Sequence, residues 1–545
     1  MVEQYKIRSI RPRIQMWNDF FVGKDITNSL LSVETNKSVN DIAGTFTIQL
    51  RPNEGMFGKN SDWFYDRFDP QDVIGITFDT AGNKDEKGKD KGSQFLGIVD
   101  VPQKSNKYSD ENPSRTVSIS GRDFGSLLLD DDLINIREIF LQPKENGVPA
   151  GLEGETSKIG KNYFISPAYN GIEKDIAEKL RGRHPCFTPE CLVGIGPVFS
   201  TAAPVFSFMD APVIDAIKFI MDNTTSIRNL VYIAPKGETE KTLVHNLINY
   251  QDYVVQRPEY VCMQTAALSS YQGNLLNFIR QVLDADFNEL MVDTKDGVSY
   301  LRVRPKPFDR VGDSVNQQII ANDDPFCWDN LKTFVSDKDY HVIEKTEIIE
   351  LNLHRSKNRA YSVFRITPGA LNDFNELYGF TLNRSAVDLY NMLRYGFKKI
   401  ESDVHVTYAG HVDIIDQLFI ECRDRLKNWN IYCPIFEEGT IVIRGREDIH
   451  IGDKIYLPWY KREYISKEKS YTIEDITVGD GYEFYVTGVK NRWEIGSAYI
   501  TTLTLDRGLN KKILAEYIDE RKRTLEYISN NVENLYKKMS QFEEW

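Results

Sequence analysis

Ile42-Ala43-Gly44-Thr45-Phe46-Thr47-Ile48-Gln49-Leu50 alternates polar and apolar side chains from Gly44 onward, and Arg51-Pro52 stops the run. A period of two sends every second side chain to the same face, which predicts a strand with one buried side. The pattern returns in Val73-Ile74-Gly75-Ile76-Thr77-Phe78, in Phe95-Leu96-Gly97-Ile98-Val99-Asp100-Val101 and in Arg115-Thr116-Val117-Ser118-Ile119-Ser120-Gly121. Strands at this spacing predict a β-barrel or sandwich over residues 1–125. Residues 82–92, almost purely Gly, Lys, Asp and Glu, read as an exposed hairpin loop between two of these strands.

Residues 126–334 are mixed α/β. Two helices are predicted from apolar stripes: Asp210 to Met221, capped by Asp210 with Pro212 in the first turn, and Asn274 to Leu283. A hairpin follows, Phe287 to Asp293 returning through Tyr300 to Pro305, with Lys295-Asp296-Gly297 as its turn. Strand signals resume over residues 335–508, at Tyr361–Thr367, Thr440–Gly445, Gly481–Val489 and Tyr499–Leu505, with one helix near Ile414–Trp429. The order β-rich, mixed, β-rich suggests two similar barrels separated by an insertion. Residues 509–545 form a long C-terminal helix: Gly and Pro are absent from Lys511 to Trp545. Ile518, Leu525, Val532 and Met539 recur every seven residues; Leu514, Ile528, Leu535 and Phe542 take the partner position, and Arg521 is the one break. That heptad predicts a coiled-coil seam between subunits, the alternative being an amphipathic helix docked on its own chain.

The chain carries 67 Lys and Arg against 80 Asp and Glu, hence 67 − 80 = −13. An acidic chain is poorly suited to non-specific DNA binding, which needs cations to displace phosphate counterions. Six cysteines without a repeated spacing predict reduced thiols rather than a disulfide framework. The start of the chain shows no apolar signal-peptide core, and no apolar run is long enough for a membrane span, so neither secretion by signal nor membrane insertion is expected. No P-loop, dinucleotide fingerprint, nucleophile elbow or HExxH occurs, so no cofactor and no catalytic residue are predicted. His184, Cys186 and Cys191 offer three soft ligands, one short of a closed zinc site, and read better as loop residues than as a metal centre. Asp130-Asp131-Asp132 reads as a solvated turn. The scattered histidines at 245, 341, 354, 405, 411 and 450 read as satisfied structural residues.

Several blocks resemble baseplate hub proteins of contractile tails, the family that includes late control D proteins and the hub half of type VI secretion spikes. Ser118-Ile119-Ser120-Gly121-Arg122-Asp123-Phe124-Gly125 is similar to the strand and "GRD" turn that end the first barrel of such hubs. The 274–283 helix with Asn288-Glu289-Leu290 and Arg304-Pro305-Lys306-Pro307-Phe308 resembles their middle block. Tyr361-Ser362-Val363-Phe364, Ile443-Arg444-Gly445 with Ile451-Gly452-Asp453, and Thr502-Leu503-Thr504-Leu505-Asp506-Arg507-Gly508 resemble strands of the second barrel. The blocks keep the family's order over about 40–508. The resemblance implies an α+β, mainly β subunit with two tube-like β-barrel domains. It implies a homotrimer whose six barrels join a six-fold tail tube to a three-fold central spike, the spike being a separate protein. It further implies tape measure and wedge proteins as neighbours, DNA only as passing cargo, and a place in the virion tail baseplate after assembly in the host cytoplasm. Three copies would carry 3 × −13 = −39, which suits a channel that phosphate passes without sticking. Two other classes compete: a tail-associated cell-wall hydrolase, suggested by aromatic richness and abundant carboxylates, and a receptor- or carbohydrate-binding β-protein, which exposed aromatics in a cleft would favour and a paired-barrel architecture would disfavour.

Overall fold

Phe46, Ile48 and Leu50 are buried while Thr45, Thr47 and Gln49 are exposed, so the alternation that opened the sequence is the alternation of a real sheet face. The structure is a computed structural model. It describes residues 10–17, 24–51, 64–80, 94–107, 114–130, 132–133, 248–249, 273–274, 276–277, 280, 286, 288–295, 297–305, 341–368, 385–404, 420, 422–424, 426–460 and 481–542. The predicted helix at 210–221, the loop at 82–92 and the group His184, Cys186 and Cys191 lie outside the described residues. So does most of the 274–283 helix, of which residues 276, 277 and 280 are helical.

The first region contributes β1 (Ile10–Trp17), β2 (Lys24–Asp25), β3 (Leu30–Ser38), β4 (Thr45–Leu50), β5 (Val73–Thr80), β6 (Phe95–Lys107) and β7 (Ser114–Asp123), then the short α1 (Ser126–Asp130). The middle region contributes β8 (Asp132–Leu133), β9 (Ile248–Asn249), β10 (Gly273–Asn274) and the predicted hairpin, β11 (Asn288–Lys295) with β12 (Val298–Pro305). Lys295 faces Val298 across that hairpin, and Gly297 takes φ 79°, the left-handed conformation the Asp-Gly signal calls for. The last region contributes β13 (His341–Val342), β14 (Ile348–His354), β15 (Val363–Pro368), β16 (Ser385–Val387), α2 (Leu389–Tyr395), β17 (Lys399–Val404), β18 (Glu437–Arg444), β19 (Lys454–Leu457), β20 (Tyr482–Glu494), β21 (Ile500–Leu509) and α3 (Lys511–Phe542). The chain is therefore mainly β, with few helices and a long helix at its end.

The two β-rich regions share one 13-stranded sheet, in which β14-β18-β21-β20-β3-β4-β7-β6-β5-β1-β2 are neighbours in that order and β13 and β19 branch from β20. The joint is an antiparallel ladder from Ser38 opposite Gly488 to Ser32 opposite Glu494. Register shifts interrupt the β3–β4, β6–β7, β14–β18, β18–β21 and β20–β21 ladders. Such bulges bend a strand and deepen its twist, which curls a wide sheet instead of leaving it flat. A separate small sheet sets β15 between antiparallel β16 and parallel β17.

Each half of the large sheet buries its own core. Under the first half, Ile14, Met16, Val33, Phe46, Ile48, Ile74, Ile76, Phe78 and Phe95 pack together. Tyr499 from the last region enters that cluster, its ring stacked on Phe78 with centroids 4.9 Å apart. Under the second half, Ile441, Ile443, Ile455, Leu457, Phe484, Val486, Leu503 and Leu505 pack with Met291 of the hairpin. Phe46 lies edge-on to Phe95 at 5.7 Å and covers Gly97 and Gly121, where a Cβ would stand 2.7 Å from its ring. Deleting that ring leaves a cavity that the surrounding strands cannot close. Phe46→Ala is expected to lower the unfolding free energy by about 3–5 kcal/mol, read from urea midpoints; a loss below about 1 kcal/mol would show that the packing described is not what holds this half together.

Candidate functional site

The buried face of β3 runs Val33, Thr35, Lys37, so the alternation places a lysine where an apolar residue is expected. β11 has the converse feature: Leu290, Met291 and Val292 lead into Asp293, and all four are buried. An ionised group away from water is costly unless it is paired and hydrogen-bonded. The fold satisfies both by bringing them together. Lys37 Nζ donates to Asp293 Oδ1 at 3.0 Å and to Thr294 Oγ1 at 3.3 Å. The Thr294 backbone N–H donates to the same Oδ1 at 2.8 Å. His450 Nδ1 meets Asp293 Oδ2 at 2.6 Å, so the ring carries its proton on that nitrogen. Burial alone would raise the Asp293 carboxyl, but the charges of His450 and Lys37 and their hydrogen bonds outweigh it and hold the group well below the usual carboxylate range.

The network continues into the last region. The His450 backbone N–H donates to Asp453 Oδ2 at 2.9 Å, and His341 Nε2 meets the same oxygen at 3.1 Å. His341 Nδ1 faces Asp448 at 3.5 Å. Arg446 clasps Asp448 with two bonds, at 2.7 and 2.8 Å, and reaches Glu347 at 3.1 Å. Burial works to lower the His341 ring, but carboxylates at both its nitrogens prevail and raise it to about 9. One run of alternating charge therefore links β3, the β11–β12 hairpin, the 446–453 loop and the turn before β14. Tyr485 adds a second tie, its hydroxyl donating to Glu289 at 2.6 Å.

The "GRD" turn stands beside this junction. Arg122 spans Asp100 at 2.7 Å and Asp130 at 2.9 Å; the first residue of the triple-Asp run is thus an exposed ion-pair partner at the end of α1 and not part of a turn. Asp123 is fully buried; its Oδ1 accepts from the Gly125 N–H at 2.9 Å, and its own N–H donates to Gly44 O at 2.8 Å. Burial pushes its carboxyl up to about 7 against the opposing charge of Lys37 and the backbone hydrogen bonds it accepts from Gly125 and Gly44. A Cβ at Gly44 would stand 2.7 Å from Asp123 Oδ2, so this turn requires a glycine opposite it.

The helical seam proves to be two different surfaces. Leu514 and Tyr517 are buried, and Ile518 and Leu525 pack partly against the same cluster, with Tyr390, Cys433, Ile435 and Phe436. Arg521, the break in the heptad, is 8% exposed and pairs with Asp388, the residue that also caps α2 by accepting from Asn391 N at 2.7 Å. Its guanidinium further donates to Asn391 Oδ1 at 3.2 Å and lies among the rings of Tyr390, Tyr432 and Tyr517. Ile528 is half-buried and Val532 is 44% exposed. The side chains of Leu535, Met539 and Phe542 lie outside the described residues. Among the described residues no group of His, Cys, Asp and Glu has the arrangement of a metal site, and no helix is long and apolar enough to cross a membrane. His341, His354 and His450 each lie against a carboxylate.

No family model and no curated protein matches the chain. Among solved structures, the fold is similar to the tail protein from Neisseria meningitidis MC58, at 10% identity over 91% of this chain and 96% of that one, with a TM-score of 0.42. It is similar to the 43 kDa tail protein of prophage MuSo2 from Shewanella oneidensis, at 9% identity over 91% and 97%, with a TM-score of 0.41. It is also similar to an E. coli component of the type VI secretion system that exhibits structural similarity to the T4 bacteriophage tail proteins gp27 and gp5, at 8% identity over 88% and 73%, with a TM-score of 0.33. At such scores the likeness is loose, and no residue role is carried over from these proteins.

Two outcomes test the junction. Asp293→Ala strands Lys37 and His450 without their carboxylate and is expected to cost about 3–5 kcal/mol in denaturant unfolding; a change under about 1 kcal/mol would mean the pairs contribute nothing. For His341, the folded ring titrates above the unfolded one, near 6.5, so its stabilisation is complete below about 6.5 and is lost as pH rises through 9. Asp123, also raised, loses its contribution over a lower window, between about 3.8 and 7. Unfolding free energy measured from pH 7 to 9.5 is therefore expected to fall in the native chain and to stay flatter in His341→Gln; parallel curves would remove His341 from this role.

Proposed function

We propose that this chain is a structural hub of a contractile-tail baseplate in a virion or phage-like particle, acting by assembly rather than by catalysis. The observation that carries this reading is the β3–β20 ladder, which sets two β-rich regions edge to edge in one curled antiparallel sheet. A subunit with two sheet-bearing halves side by side doubles its own symmetry: three copies present six such halves. That is the geometry needed between a six-fold tail tube and a three-fold central spike. In this reading the two halves are the tube-like domains, the sheet lines the channel, and tape measure and wedge proteins meet the remaining surfaces.

The residue blocks that suggest a hub fall at joints of this architecture. Gly121-Arg122-Asp123 closes the first half at the β7–α1 turn, and Glu289 of the Asn-Glu-Leu block is bonded to Tyr485 of β20. Ile451-Gly452-Asp453 carries the carboxylate shared by His341 and His450. Arg507, in the last block, is buried, its guanidinium 3.3 Å from the centre of the Trp429 ring and donating to Trp429 O at 2.7 Å. Among the described residues, His341, His450, Asp293, Asp453 and Glu289 are engaged in holding regions of the chain together.

The test is assembly. Mass photometry of the purified chain, alone and with tube and spike proteins of the same particle, is expected to show a trimer that binds both. A chain that stays monomeric with both partners present would overturn the hub reading.

A further inference from the structure

The apolar stripe of α3 is buried by its own chain up to Arg521, partly covered at Leu525 and Ile528, and open at Val532. Leu514, Tyr517 and Arg521 are buried against the chain's own α2 and the 432–436 segment. After that, Leu525 and Ile528 are half-covered, Val532 is 44% exposed, and Glu526, Tyr527, Ser529, Asn530 and Asn531 are exposed around them. A strict seven-residue repeat drifts around a straight helix by about 20° per heptad and stays in line only when the helix supercoils with partners. The repeat therefore continues past the part of the helix that the chain itself covers.

Three features point to further copies of the same chain as the cover. Leu525 and Ile528 stand at the first and fourth heptad positions, a pair that favours three or four strands, while Val532 and Leu535 in the next heptad are a pair that favours two; the seam thus calls for partner helices, and their number comes from the hub reading. In parallel register, the seventh position of one copy faces the following fifth position of the next. Thr524 then faces Ser529 and Asn531 faces Tyr536, so no like charges meet across these flanks. Finally, Arg521 marks a boundary: its pairing with Asp388 is the last buried contact between the helix and its own chain among the described residues, and only partial cover follows at Leu525 before Val532 lies open.

We propose that residues 525–542 of three copies wind into a short parallel coiled coil, with Arg521 as the point where the helix passes from its own chain to its neighbours. This rests on the trimeric hub reading. A stretch about 27 Å long is too short to associate from free solution. Three helices held by one ring meet at millimolar effective concentration, which removes most of the entropic obstacle.

The experiment uses the full chain with the photoreactive residue p-benzoylphenylalanine in place of Val532. Irradiation is expected to give covalent two-chain species on denaturing gels, with the cross-link mapped to residues 525–542 of another copy. Leu525→Asp is expected to reduce that product at least tenfold, whereas Tyr527→Asp, which alters an exposed flank, leaves it unchanged. If mass photometry shows a trimer but Val532 cross-links only within its own chain, or to another segment of a neighbour, the coiled coil is overturned and the hub reading stands. A chain that is monomeric, with and without tube and spike proteins, overturns both.

Discussion

Seven residue pairs between β3 and β20, from Ser32 opposite Glu494 to Ser38 opposite Gly488, turn two remote stretches of chain into one sheet. Backbone N–H and C=O groups away from water must be paired, and β3 has β4 on one side only. Without β20, its other edge would be an open ladder beside the first core. The remaining contacts between the halves depend on that alignment. Tyr499 reaches the first core because it follows β20, and His450 reaches Asp293 because β20 holds the neighbouring loop: Val486 N–H donates to Asp453 O at 2.9 Å.

The charges at the junction supply a different constraint. Apolar packing accepts many arrangements of similar volume, whereas a buried carboxylate with three donors around it accepts one. Lys37, Thr294 and His450 come from three parts of the chain, and each aims a donor at Asp293. A cavity of about 30 Å³ beside them, lined in part by Thr35, Lys37, Asp293, Glu447 and His450, has room for one or two waters. Displacing the hairpin by one residue would leave a buried lysine and a buried carboxylate without each other. The pairs thereby fix how the middle hairpin sits under the sheet, at some expense in desolvation.

Much of this was legible in the residues. The alternation at 45–50, 73–78, 95–101 and 115–121 marks strands the structure contains, and Asp296-Gly297 marks the hairpin turn. β1 escaped notice because Pro12 interrupts its pattern; it lies at Pro12 on an edge, where only β5 pairs with it and a missing N–H is tolerated. β3 escaped because Glu34, Asn36 and Lys37 make it look solvated. The signal was there, since Lys37 is in phase with Val33 and Thr35, but a lysine in a strand usually faces water, and its partner lies 256 positions away. Arg521 was visible as a fault in the heptad. Its cause was not, because Asp388 and the three tyrosines around it are set by tertiary packing. That the two β-rich regions share one sheet could not be read at all, since strand patterns specify faces and not edges.

The ladder between β3 and β20 also sets a timetable. Ser38 and Gly488 are 450 positions apart, so the first half is on the ribosome's far side long before its neighbour exists. At ordinary elongation rates of about 5–20 residues per second, the wait is roughly 20–90 s. Throughout it β3 presents an unpaired edge, the kind of surface on which nascent chains pair wrongly with one another. The polar side chains that disguise β3, Glu34, Asn36 and Lys37, are then useful in themselves: they suit an edge that waits in water for β20, and a lysine hydrated early in synthesis becomes a buried clasp only once Asp293, 256 positions on, has been made.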